Sequence, residues 1–196
     1  MSIIGSNVIA GASGQATGYN LNNSLRFRSS NSAYLSRTPA SATNRKTWTW
    51  SGWVKRGLLT SAIKPLFFAD TGSSPLGGLY FSGSGGTDIL QFYDYVSPTD
   101  YGYGATAVYR DPSAWYHVVL AVDTTQATAS NRIKLYVNGV QQTFNQNFGD
   151  MPQNYDTAIN STNAHYIGRE IGITGQYFDG YMTEINFVDG TALTPS

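Results

Sequence analysis

Tyr177-Phe-Asp-Gly-Tyr-Met-Thr-Glu-Ile-Asn-Phe-Val-Asp-Gly-Thr-Ala-Leu-Thr-Pro-Ser196 closes the chain and decides its fold class. Apolar and polar residues alternate from Tyr181 to Val188, the period of a half-buried strand. Asp179-Gly180 and Asp189-Gly190 bracket it, and Asp-Gly is a strong turn signal, so a terminal hairpin is expected. The segment has partners earlier in the chain, Trp115-Tyr-His-Val-Val-Leu-Ala-Val-Asp123 and Arg132-Ile-Lys-Leu-Tyr-Val-Asn-Gly-Val-Gln-Gln142.

Working outward, strand signals recur from Ser24 onward. Leu25 and Phe27 alternate with polar residues, and Tyr34-Leu35 starts a short run before a loop over 37–44. Thr47-Trp-Thr-Trp-Ser-Gly-Trp-Val54 places Trp48, Trp50, Gly52 and Val54 on one face. Pro65–Ala69, Gly78–Ser82, Ile89–Asp94, Ala105–Tyr109 and Ala164–Gly168 read as further strands. Val140–Phe144 is expected to pair with Ile133–Val137 through Asn138-Gly139, followed by a loop over 145–163. No segment carries a 3.6-residue apolar period and no fixed repeat is visible. Many short strands separated by turn residues imply a sandwich or barrel.

The two internal segments and the closing segment, in that order, resemble the laminin-G-like members of the concanavalin A-like lectin/glucanase superfamily. The wording from Ser24-Leu-Arg-Phe through Arg45-Lys-Thr-Trp-Thr-Trp-Ser-Gly-Trp-Val-Lys-Arg56 to Leu193-Thr-Pro-Ser196 is similar to versions found in structural proteins of tailed bacteriophages. The resemblance covers about 24–196. It implies an all-β fold, a two-sheet antiparallel jelly-roll sandwich over 23–196, with residues 1–22 as an extended N-terminal arm. It also implies a virion protein made in the host cytoplasm and displayed on the particle surface, as a tail-fibre or appendage component or a capsid decoration. In similar proteins the Leu-Thr-Pro-Ser ending leads into further sequence; a longer parent would favour a fibre, a complete chain decoration.

Composition agrees with one sandwich domain, for which ~200–250 residues are routine. Zero cysteines exclude disulfides and thiolate metal sites. Net charge is zero, and charged residues make up 12 % of the chain against a typical ~25 %. Nucleic-acid binding, which needs an excess of Lys and Arg, is not expected. The N-terminus lacks a basic, apolar signal sequence, and no run approaches the ~20 apolar residues of a membrane span, so membrane insertion is not expected either. Residues 1–22, rich in Gly, Ser, Ala and Asn, cannot build a core alone. They read either as a leader or as an arm that docks on other virion proteins through Ile3, Ile4, Val8 and Ile9. The arm is preferred, together with a homo-oligomeric assembly.

Catalytic chemistry finds little footing. Glycoside hydrolases use a carboxylate pair. The chain has two glutamates, Glu170 and Glu184; Glu184 is followed at i+2 by Asn186 and is expected to hold backbone or an arginine near the sheet rim. His117 and His165 fall inside strands, and no nucleophile elbow or phosphate loop occurs. No catalytic residue and no cofactor is therefore assigned. Asp70, Asp88, Asp94, Asp100 and Asp150 are scattered carboxylates rather than a dense calcium loop, so no metal is assigned. The richest recognition signal is Phe92-Tyr-Asp-Tyr-Val-Ser-Pro-Thr-Asp-Tyr-Gly-Tyr-Gly104, read as a loop region. Tyr and Gly with short polar residues make a recognition composition, because rigid amphipathic rings stand beside adaptable hydrogen-bonding groups. Tyr93, Tyr95, Asp100, Tyr101 and Tyr103 are the candidate ligand residues, for a host-surface glycan or for a sister subunit. A stand-alone lectin is the first alternative. A hydrolase pairing Glu184 with Asp179 or a loop aspartate is the second.

Overall fold

The computed structural model describes residues 23–83, 86–147, 149–173 and 175–195. The expected docking anchors Ile3, Ile4, Val8 and Ile9 lie outside the described residues. Thirteen strands form two antiparallel sheets among those described. The first sheet holds, in spatial order, β1 (Leu25–Phe27), β13 (Gly180–Asp189), β3 (Thr47–Arg56), β8 (Tyr116–Asp123), β9 (Ile133–Val137) and β10 (Val140–Gln141). The second holds β11 (Phe144–Asn147), β7 (Thr99–Val108), β6 (Ile89–Val96), β5 (Leu76–Ser82), β4 (Lys64–Ala69), β12 (His165–Ile167) and β2 (Leu35–Arg37). The expected two-sheet sandwich is what forms. Among the described residues no helix is long and apolar enough to cross a membrane.

β3 shows why these residues make this architecture. Trp48, Trp50, Gly52 and Val54 point inward and are buried, as the alternation requires. Trp50 stacks on Phe67 of the opposite sheet at 6.4 Å, and Trp48 meets Phe92 edge-on at 5.8 Å, so aromatic pairs join the two sheets through the core. The Trp48 indole N–H donates to Thr157 Oγ1 at 3.1 Å. At the turn between β9 and β10, Asn138 and Gly139 both have positive φ (51° and 80°), the geometry a type I′ hairpin needs.

Three expectations change. The closing segment is not a hairpin: β13 is one ten-residue strand set between β1 and β3. Its alternation is broken by a bulge between Thr183 and Asn186, where Glu184 adopts φ 50°. The extra residue turns both Met182 and Phe187 toward the core, opposite Val54 and Trp50. Second, the strand expected at 140–144 splits. β10 stays in the first sheet, and the chain then crosses over so that β11 pairs with β7 in the second. Third, the expected loop over 145–163 opens inside β11, and its later part, irregular as expected, is in part buried rather than exposed. Met151, Thr157, Ala158 and Ile159 are fully buried, and the segment closes one end of the sandwich.

Candidate functional site

The tyrosine-rich stretch is not a loop. It forms the β6–β7 hairpin, with Val96 opposite Thr99 and only Ser97-Pro98 between them. Pleating therefore divides the candidate residues between two faces. Tyr101 and Tyr103 point inward at 8 % and 4 % exposure. Tyr101 packs edge-on against Tyr155 at 5.1 Å. Tyr103 stacks on Phe92, meets Phe144 edge-on, and its hydroxyl accepts the Met151 N–H at 2.7 Å. Burial in the core removes both from any ligand surface.

Tyr93, Tyr95 and Asp100 stay together on the outer face. Asp100 lies directly across from Tyr95, near enough to Tyr93 for its charge to act on the phenol. Partial burial, followed by the negative charge of Asp100, raises the Tyr93 phenol above its ordinary range. The register explains the setting of Tyr93. Across the sheet from β2 to β7, Ser36, Tyr166, Phe68, Gly78, Tyr93 and Gly102 are successive partners in one row. Tyr93 thus stands between two glycines in its row, and the Phe68 ring leans over Gly78 into the space a side chain there would take. Half-buried on the outer face, its ring presents a platform with a polar tip. Phe68 and Tyr80, buried on the same face, pack ring on ring at 5.8 Å and support the row from beside Gly78.

A second cluster lies at the other end of that row. The Arg169 guanidinium sits 4.6 Å from the ring centre of Tyr34, 5.2 Å from Tyr166 and 5.6 Å from Tyr177. Tyr34 is 40 % exposed, and the other three are half-buried. Such cation–ring contacts hold the guanidinium in place, and among the described residues no acidic side chain forms an ion pair with it. Sequence reading missed this group because its members come from residues 34, 166, 169 and 177. Only the β2–β12 pairing and the Arg169–Tyr177 bridge bring them together.

The carboxylates are occupied or isolated. Asp94, on the inner face of β6, is fully buried. It accepts the Tyr155 hydroxyl and the Ala158 N–H, each at 2.9 Å. Burial pushes its carboxyl up to about 7 against the pull of those two donors and of Arg45. Asp70 accepts the N–H groups of Gly72, Ile171 and Gly172. Asp88 takes Arg56 at 3.0 Å and Arg110 at 3.1 Å. Glu170 is buried and accepts from Ile173 and Gln176 N–H. Asp179 is bound by Arg26 and Ser29. Glu184, expected to hold backbone or an arginine near the rim, is exposed on the β13 bulge. Among the described residues no group of three or more His, Cys, Asp or Glu side chains is placed to hold a metal ion. His165 is framework: its Nε2 accepts the Asn160 N–H, its Nδ1 faces the Asn163 carbonyl, and burial lowers its pKa.

Comparison with known proteins places the fold. The family model described as "Concanavalin A-like lectin/glucanases superfamily" matches residues 28–196. A search of the curated proteins found no match. Among solved structures, domains LG4-5 of the mouse laminin alpha1 chain are similar with a TM-score of 0.58 at 13 % identity. That match covers 84 % of this chain and 40 % of the laminin fragment, so the chain spans well under half of that relative. A heptameric SAP-like pentraxin from Limulus polyphemus gives a TM-score of 0.51 at 16 % identity, covering 89 % of this chain and 74 % of the other. The Ruminococcus gnavus IT-sialidase CBM40 bound to alpha2,3 sialyllactose gives 0.50 at 15 % identity, covering 84 % and 94 %. At these identities the likeness is one of fold.

Proposed function

Because this chain belongs to the concanavalin A-like lectin/glucanase superfamily, we propose that it is a carbohydrate-binding display module of a tailed-phage particle, without hydrolytic chemistry of its own. The observation that carries the binding half is the outer face of the β6–β7 hairpin. Tyr93 stands there between Gly78 and Gly102, with Asp100 and Tyr95 beside it. A half-buried ring on the outer face, set beside the exposed Asp100, suits stacking on the C–H face of a pyranose, while Asp100 accepts from sugar hydroxyls. The Arg169 cluster at the far end of the row adds a fixed cation with donor N–H groups, suited to a sugar hydroxyl or carboxylate.

The engagement of the acidic groups by other partners supports binding over cleavage. A hydrolase needs two carboxylates flanking one bond, about 5 Å or 6.5–9.5 Å apart. Here Glu184 is exposed on a bulge, and Asp179 is engaged by Arg26 and Ser29. The phage assignment rests on the sequence resemblance and on a surface poor in charge, which suits close-packed assemblies. In that setting the protein sits on the virion surface as a homo-oligomer and contacts other virion proteins.

A glycan array followed by calorimetry on the full chain tests the binding half. Tyr93→Ala and Tyr95→Ala should each weaken binding about tenfold, the scale of losing an aromatic anchor. Lys134→Ala on the opposite sheet should change nothing. A wild-type chain that binds no glycan, or a Tyr93→Ala variant that binds as well as wild type, refutes the site. Immunogold labelling of phage particles tests the display half, and particles that carry no label refute it.

A further inference from the structure

One side of the sandwich is open between its sheets. β1 covers only Gly180–Met182 of β13, and from Thr183 to Asp189 that flank of β13 has no strand partner among the described residues. The second sheet ends there in β12 and β2, of three residues each. Two adjoining cavities, of about 230 and 400 Å³, share Leu35 and Ile167 as walls. Together they fall within the ~300–1,000 Å³ of small-molecule sites. Leu35 and Phe187 are 47 and 37 % exposed there, so apolar surface is left facing water.

The two lobes select an apolar body. The smaller has an aromatic floor, with the Phe67 ring centre 5.5 Å from Phe187 and 5.8 Å from His165. Its inner polar groups are already used. His165 is engaged by Asn160 and Asn163, and the Asn160 amide donates to the Asn44 carbonyl and the Asp189 carboxylate. A sugar placed there would give up water without gaining hydrogen bonds, which is costly. The larger lobe is aliphatic, walled by Leu25, Met182 and Ile185.

Charge gives the site a direction. Arg37 borders the smaller lobe, is exposed, and makes no side-chain hydrogen bond or ion pair among the described residues. It lies directly across from His165, so both side chains share the face turned to the cavity. Glu184 borders the larger lobe at the other end. We propose that the joined cavities bind a free fatty carboxylate, its head on Arg37 and its chain running past Leu35 and Ile167 into the larger lobe. The guanidinium fork matches a carboxylate, and Glu184 repels one from the far end. A flexible chain can follow two lobes that meet at a shared wall, where a rigid ring fills only one. This site lies between the sheets, apart from the outer face that carries Tyr93, and does not depend on glycan binding.

Decanoate added to the full chain is the probe. Calorimetry should show saturable binding of one decanoate per chain. The backbone amide signals of Leu35, Ile167 and Phe187 should shift, while those of Tyr93 and Lys134 stay in place. Arg37→Gln, at an exposed position, should weaken decanoate binding about tenfold, the scale of a lost charge-assisted hydrogen bond, and leave decanol binding unchanged. Leu35→Trp, which fills the wall common to both lobes, should abolish binding of both compounds. No saturable binding, or signal shifts away from the cavities, overturns the proposal. So does an Arg37→Gln chain that holds decanoate as well as wild type or loses decanol equally, and so does a Leu35→Trp chain that binds normally. Capture on phospholipid vesicles without decanoate binding would assign the opening to a bilayer and overturn it as well.

Discussion

Asp94 should make this protein lose stability as pH rises from acid to neutral, against the usual trend for carboxylates. Its carboxyl is fully buried and pushed up to about 7, from an ordinary 3.8. The folded chain therefore keeps this proton between pH 4 and 7, whereas the unfolded chain releases it near pH 4. The contribution to stability is fully present below pH 4 and lost as pH rises through about 7. At 1.36 kcal/mol per pH unit, the gap from 3.8 to about 7 is worth about 4 kcal/mol. Asp179 and Asp123, whose carboxyls are held low by their hydrogen-bond donors despite partial burial, pull the other way as pH falls. The test must therefore isolate Asp94. Asn at this position keeps an oxygen for the Ala158 N–H and turns an amide toward the Tyr155 hydroxyl, without a charge. Urea unfolding of wild type and Asp94→Asn should give equal stabilities at pH 4. At pH 8 the variant should be ahead by up to about 4 kcal/mol. Stability curves that run parallel from pH 4 to 8 would refute the reasoning, because Asp94 would then titrate alike in both states.

Two further outcomes follow from the register. Tyr101→Ala and Tyr103→Ala should each cost about 3–5 kcal/mol in chemical denaturation, the scale of deleting a buried aromatic side chain, and Tyr93→Ala should cost much less. A Tyr103→Ala protein of wild-type stability would contradict its place in the core. Glu184→Gly should stabilise by about 0.5–1 kcal/mol, since glycine relieves a left-handed residue, whereas Asn186→Gly on the same strand should cost about that much. Equal losses at both positions would contradict the bulge.

The sequence told the fold class clearly because the strands that build the core carry their own period. β3 is the example: the four alternate positions read as one face, Trp48, Trp50, Gly52 and Val54, are all buried. What it hid were events that add or move a single residue. The β13 bulge is invisible in a string of residues because Glu184 is neither glycine nor asparagine, the usual markers of left-handed backbone. The crossing from β10 to β11 was hidden because an Asn-Gly turn promised a longer hairpin than forms. The candidate site was half legible. Composition singled out the stretch Phe92–Gly104, but only the pairing of β6 with β7 tells Tyr93, Tyr95 and Asp100 from Tyr101 and Tyr103. The Arg169 group had no local signal at all, since its four members run from residue 34 to residue 177.

The arrangement of β6 ties stability to recognition. Asp94 and its neighbours Tyr93 and Tyr95 alternate across one strand, so the inward residue fixes the backbone that presents the outward ones. Asp94 grips 155–158 through a hydroxyl and a backbone N–H, and β5 and β7 pair with β6 on either side. The tyrosine rings thus sit on a strand with little freedom left to lose on binding, which lowers the ordering cost that weakens loop-borne sites. The same logic separates the effects of mutation at adjacent positions. Asp94→Ala leaves the Ala158 N–H and the Tyr155 hydroxyl buried without their acceptor, so it should loosen the platform and weaken glycan binding together with stability. Tyr93→Ala, with its ring outside the core, should weaken glycan binding while leaving the unfolding midpoint close to that of wild type.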